Sequence, residues 1–202
     1  MAARLLDHVV MTDHRPDILD GVHAPACALA IWQRSLPEAL TAALQPLPLD
    51  AINAIATTIP EYPSKGLIAA LLVTAGYTAP TIPWLAADIV DLAGRHAHIH
   101  RAGANRLRLE VIETDACRKF HADHVTTRLI CTYFGPGTQW IEAGDSTGIP
   151  SSLATGTVAI FKGRTLLPDP TILHRSPPIM ASGERRLVLV LDPVRPGSND
   201  EA

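Results

Sequence analysis

The chain has 202 residues, 47% of them apolar, and a net charge of −3, enough to bury one sizeable core within a single domain. Arginine is interspersed with aspartate and glutamate and forms no basic stripe, which argues against nucleic acid as a partner. Three cysteines, Cys27, Cys117 and Cys131, are few and odd in number, so a reducing, cytoplasmic setting is expected rather than a disulfide framework.

In chain order, residues 1–10 are too short and too mixed for a signal peptide, because Asp7 and His8 interrupt them. Proline-broken segments then favour helix over 37–44, 49–58, 64–74 and 83–96. Ser35 before Pro37 resembles a helix start, and Pro83 suits the first turn of its helix. The longest apolar run, 67–73, falls far short of a membrane span. His96-Ala97-His98-Ile99-His100 reads as a polar helix end leading into a turn. Near residue 100 the period changes. Residues 107–113 nearly alternate, as a strand with one wet face would, and 127–134, 157–162 and 185–191 are rich in branched residues. Turn clusters such as Gly135-Pro136-Gly137 and Ser182-Gly183 separate these runs. From Arg195 the tail is polar and expected to be disordered. Helices followed by short strands predict an α+β fold. A helical part, 1–100, would pack on a strand-rich core, 101–194, that closes into a sandwich or barrel.

Two separated pieces carry the chemistry: His121-Ala122-Asp123 and His174-Arg175-Ser176. A histidine, a carboxylate two residues on and a distant second histidine make up the donor set that holds a non-haem Fe(II) on one face, leaving positions open. On a strand, residues 121 and 123 would share one face, and His174 would come from the opposite strand. The same donors suit Zn(II), Mn(II) and Ni(II).

The runs around these pieces add context. Arg128 to Phe134 leads into Gly135-Pro136-Gly137, Gly156 to Phe161 is a glycine-led apolar strand, and Gly183-Glu184-Arg185-Arg186 opens the last strand. Over residues 105–192 the pattern resembles the 2-oxoglutarate/Fe(II) dioxygenases, most closely those like prolyl 4-hydroxylase. A narrower likeness lies in Cys117 to Asp123, Cys131 to Thr138 and His174-Arg175-Ser176-Pro177-Pro178, which resemble the bacterial domain-of-unknown-function family 1826. Members of that family are often encoded near metal-homeostasis GTPases, which keeps zinc in view.

The resemblance implies a double-stranded β-helix (a cupin-like jelly roll) with N-terminal helices on one sheet. His121, Asp123 and His174 would hold the metal, and 2-oxoglutarate would chelate it. An arginine fork on the last strand would grip the cosubstrate's far carboxylate. Alternation lets only one of Arg185 and Arg186 point inward. Arg185 is favoured because Gly183-Glu184-Arg185 matches the family's Gly-x-Arg, with Arg186 the alternative. Tyr133 could donate to the oxoacid or be a core residue, while Arg128 could contact Asp123, the cosubstrate or only a surface partner. His124 would point away from the site. Cys117 is either a fourth, zinc-favouring ligand or a small buried hydrophobe, and Cys131 is core.

The expected function is hydroxylation of an unknown small molecule or peptide. The competing readings are a zinc-binding jelly roll without oxidative turnover and a cupin-like hydrolase or isomerase. The N-terminal half would shape the substrate entrance or a homodimer face.

Overall fold

The computed structural model describes residues 9–101, 103–145 and 148–194, so the tail from Arg195 and most of the N-terminal ten residues lie outside the described residues. The elements run β1 (Val10–Asp13), a 3-10 helix (Pro16–His23), β2 (Leu29–Trp32), α1 (Glu38–Leu44) and a 3-10 turn (Leu49–Ala51). Next come β3 (Ile55–Pro60), α2 (Lys65–Thr74), α3 (Ile82–His100), β4 (Ala104–Ile112) and β5 (Thr127–Phe134). The chain closes with β6 (Gln139–Glu142), β7 (Ser151–Ser152), β8 (Val158–Lys162), β9 (Ile172–Arg175) and β10 (Arg186–Pro193).

Local chemistry explains most boundaries. Ser64 caps α2 by accepting the Leu67 N–H at 3.1 Å, relieving one of the helix's unpaired donors. Pro83 occupies the first turn of α3, where its missing N–H costs nothing. The helix expected over 49–58 is not present. Only Leu49–Ala51 turns, and the stretch Ile55-Ala56-Thr57-Thr58-Ile59-Pro60 becomes β3. Its β-branched residues fit a pleated surface better than a helix.

Seven strands form one sheet in the order β1-β2-β8-β5-β10-β4-β3, and three form a second, β7-β6-β9. All paired neighbours are antiparallel except β1 and β2. The architecture is mixed α+β around a large sheet. It does not keep the expected order of helices first and strands later. Strands β1, β2 and β3 come from the first hundred residues yet sit in the large sheet, β2 internally beside β8. Short strands of four to six residues carry too little periodicity to be read from sequence alone.

The central strands of the large sheet, β8, β5 and β10, are buried on both faces. Leu129, Cys131 and Tyr133 of β5 and Leu187, Leu189 and Leu191 of β10 face α2 and α3, packing on Leu72, Leu85, Ile89 and Leu92. Ile130, Val188 and Val190 point the other way, toward a second apolar layer with Ile31, Phe161 and Ile172. Strand alternation produces this division, and the candidate site lies on the second face. No helix among the described residues is long and apolar enough to cross a membrane.

Candidate metal centre

His121 and Asp123 do not lie on a regular strand. His121 makes an isolated antiparallel bridge to His174, with both backbone bonds in place (2.9 and 3.0 Å), and the chain then bends so that Asp123 faces both rings. Gly163, just after β8, makes this bend possible. A Cβ there would run into the carbonyl of Val125, while the Gly163 and Arg164 N–H groups bond the carbonyls of Thr126 and Asp123 (2.9 and 2.8 Å). His174 sits on β9, paired in register with Trp140.

The three side chains converge. One ligand atom from each of His121, Asp123 and His174 lies within 4.8 Å of the others. Donors about 2.1 Å from one cation sit roughly 3–4 Å apart, so small side-chain movements close the set. The Nδ1 of His121 is 2.9 Å from the Lys119 carbonyl. That contact assigns the proton to Nδ1 and leaves Nε2 free to ligate. Asp123 Oδ1 pairs with Arg128 Nη1 at 2.5 Å. Asp123 Oδ2 is buried and faces the His174 Nε2 at 3.0 Å, a nitrogen that gives up any proton there when it ligates a metal. A buried carboxylate oxygen then left without a donor is costly, and a cation would relieve that cost. The residues therefore fit a divalent metal.

Electrostatics keep the donors ready. Burial opposes ionisation of Asp123, but the adjacent His174 and the Arg128 guanidinium outweigh it and hold its pKa at about 2. Burial lowers the pKa of His174, against the pull of Asp123, favouring the neutral ring that metals require. The His174 ring packs against Phe161 with centroids 4.5 Å apart.

The two arginines of the last strand part company. Arg185, the favoured oxoacid partner, turns outward, and its guanidinium pairs with Asp50 (2.6 Å) and Glu113 (2.9 Å) at the surface. Arg186, the first residue of β10, turns inward and is 1% exposed. It donates to the Pro136 carbonyl (2.6 Å), Ser176 Oγ (2.6 Å), Thr138 Oγ1 (3.0 Å) and Thr132 Oγ1 (3.3 Å). None of the described carboxylates forms an ion pair with it. Burial lowers its pKa to about 10, which leaves it cationic at neutral pH. Ser176 lies two residues beyond His174, about 7 Å along extended chain, so this cation and the histidine–carboxylate cluster share one side of the sheet.

Other expected residues fall elsewhere. Tyr133 faces the helices, because it differs in parity from Arg128, and donates its hydroxyl to Asp88 Oδ2 at 2.7 Å. It does not reach the metal donors. Arg128 does, and it also grips Asp192 with two bonds of 2.7 Å. Burial disfavours its charge, but Asp192 and Asp123 more than compensate, so its pKa is raised. His124 is exposed. Cys117 is exposed too and outside the ligand set, so no closed four-donor shell forms around it, while Cys27 and Cys131 are buried. As expected, the histidines near residue 100 end α3, at His100, and lead into a left-handed turn at Arg101 with His98 exposed, but the other two rings are engaged within the fold. His96 is buried against Asn105 (2.6 Å), and His100 bonds Thr127 (2.8 Å). Sequence reasoning assigned no role to Ser176, Thr132, Thr138 or Asp192. The parity of Ser176 with His174 was the one available signal. A pocket of about 680 Å³ opens beside His121, lined in part by Cys117, Arg118, Lys119 and Met180.

The chain matches the family described as "Protein of unknown function (DUF1826)" over residues 13–192. It belongs to that family. No curated protein sequence matches this DUF1826 chain. Among solved structures, it is similar to a dioxygenase for auxin oxidation from rice, with TM-score 0.57 and 13% identity over 94% of this chain and 84% of that one. It is also similar to the auxin-oxidation dioxygenase 1 of Arabidopsis thaliana, determined as a binary complex with 2-oxoglutarate. There the TM-score is 0.56 and the identity 10%, over 95% of this chain and 94% of that one. At such identities the likeness is one of fold.

Proposed function

We propose that this DUF1826 protein is a non-haem Fe(II) oxygenase built on a double-stranded β-helix, converting 2-oxoglutarate and oxygen to succinate and carbon dioxide while hydroxylating a substrate. One observation carries the reading: a three-donor cluster, with no fourth protein ligand among the described residues, shares one side of the sheet with a buried arginine that pairs with none of the described carboxylates. A closed zinc shell requires a fourth ligand, and Cys117 does not supply one.

In this reading His121, Asp123 and His174 hold Fe(II), and the metal supplies the activation of oxygen and of the oxoacid's keto group. The chain's own residues do the rest. Arg186 attracts the far carboxylate of the oxoacid by its charge and its uncommitted Nη1 hydrogen, and Ser176 and Thr138 fix the guanidinium's orientation. A buried guanidinium whose hydrogen-bond partners are all neutral keeps an uncompensated charge in the free protein, so oxoacid binding removes a standing cost. Phe161 and Trp140 wall the donors with apolar surface and limit water access. The pocket beside His121 gives a substrate, small molecule or peptide, its approach.

The test is anaerobic purification with iron, followed by measurement of succinate released from 2-oxoglutarate. His174→Ala should lower iron content and reduce succinate release at least 1,000-fold while far-ultraviolet circular dichroism stays unchanged. Wild-type succinate release from the alanine variant would end the proposal.

A further inference from the structure

Arg128 stands between two carboxylates, Asp192 buried and Asp123 half-buried. Its Nε and Nη2 are committed to Asp192 at 2.7 Å each, and its Nη1 reaches Asp123 Oδ1 at 2.5 Å. The side chains of Arg128 and Asp123 are 16% exposed and that of Asp192 is 9%. In such a setting an Arg–carboxylate pair is held far more firmly than at a wet surface. The two oxygens of Asp123 are therefore unequal. Oδ1 is tied to a cation, and Oδ2 faces only the His174 ring.

We propose that Arg128, held in place by Asp192, is a positioning residue that keeps Asp123 a one-oxygen ligand and so preserves the coordination position the oxoacid needs. A carboxylate free to rotate can chelate a divalent cation with both oxygens. A chelating Asp123 would raise the protein's share from three donor atoms to four and leave less room for a chelating oxoacid. The bidentate grip of Asp192 is essential to this device. It consumes two of the arginine's faces and orients the remaining Nη1 at Oδ1, so the guanidinium cannot follow a rotating Asp123. Partners of this kind, one bond removed from the metal, commonly alter metal affinity or activity 10–100-fold when lost.

The inference rests on the metal-centre reading, and Co(II) separates the two. Metal-free protein is titrated anaerobically with Co(II), and the Co(II)-loaded protein is then titrated with 2-oxoglutarate, following heat and the visible cobalt absorption. In Arg128→Met, Co(II) affinity should change by less than about threefold, while 2-oxoglutarate binds at least tenfold more weakly. The cobalt absorption without oxoacid should also differ from wild type, as a changed donor number requires. Asp192→Asn should show the same selective loss at smaller size and add nothing in the Arg128→Met background, because it acts through the arginine. If Arg128→Met does not fold, the double variant, which leaves no unpaired charge at 192, takes its place. Wild-type oxoacid affinity in these variants overturns the clamp, as does a parallel fall in Co(II) affinity, oxoacid affinity and melting temperature. If the wild type fails to bind Co(II), or His174→Ala binds it equally well, the metal centre itself is wrong and the clamp falls with it.

Discussion

The two faces of β5 carry the same chemical device put to different ends. On the helix face Arg34 grips Asp88 with bonds of 2.6 and 2.7 Å, and the Tyr133 hydroxyl adds a third at 2.7 Å, so both carboxylate oxygens are satisfied. On the other face Arg128 grips Asp192 in the same way, but its remaining N–H reaches an Asp123 whose second oxygen faces only the His174 ring. Satisfied networks fasten elements together, here α3 to the sheet. The incomplete one lies among the donors of the candidate metal centre.

That contrast can be broken experimentally, and the largest effect should come from Arg186. Arg186→Met should raise the KM for 2-oxoglutarate roughly 100-fold, as expected for a buried charge lost from a charged pair, with iron content unchanged. An unchanged KM would remove Arg186 from the site. On the helix face the readout should be stability. Burial pulls the pKa of His96 down to about 4, so the unfolded chain takes up the proton first. Stability is then complete above pH 6.5 and falls as the pH drops from 6.5 toward 4, by about 3 kcal/mol at the lower end. His96→Gln should flatten that part of the pH–stability curve, and an unflattened curve would assign the acid loss elsewhere. Tyr133→Phe should cost about 1–2 kcal/mol in urea unfolding, the range for a lost buried hydrogen bond, without altering the KM for 2-oxoglutarate. A raised KM would place Tyr133 functionally in the site it does not face. The smallest effect belongs to Arg185→Ala. Its surface ion pairs should matter little, so KM should hold and the melting temperature should move by no more than about two degrees.

How much was legible follows from the same faces. The pieces His121-Ala122-Asp123 and His174 were readable because donor type and order survive without geometry, whereas the choice between Arg185 and Arg186 was not. In β10 Leu187, Val188, Leu189, Val190 and Leu191 are all buried, so the strand has no wet face by which parity could reveal the inward arginine. The Gly183-Glu184-Arg185 spelling pointed to Arg185, which turns outward to Asp50 and Glu113. β3 was misread because the apolar residues from Leu49 to Ala56 mimic helical spacing, and the β-branched signal of Thr57, Thr58 and Ile59 was outweighed.

Residue chemistry alone determined which atoms are able to hold a cation, because ligand identity is a local property. Only the tertiary structure decided which arginine is buried, that Asp192 restrains Arg128, and that three N-terminal strands complete the large sheet. Those outcomes depend on pairing between segments as far apart as Leu29 and Phe161, and such pairing is set by how the faces pack rather than by any stretch of sequence on its own.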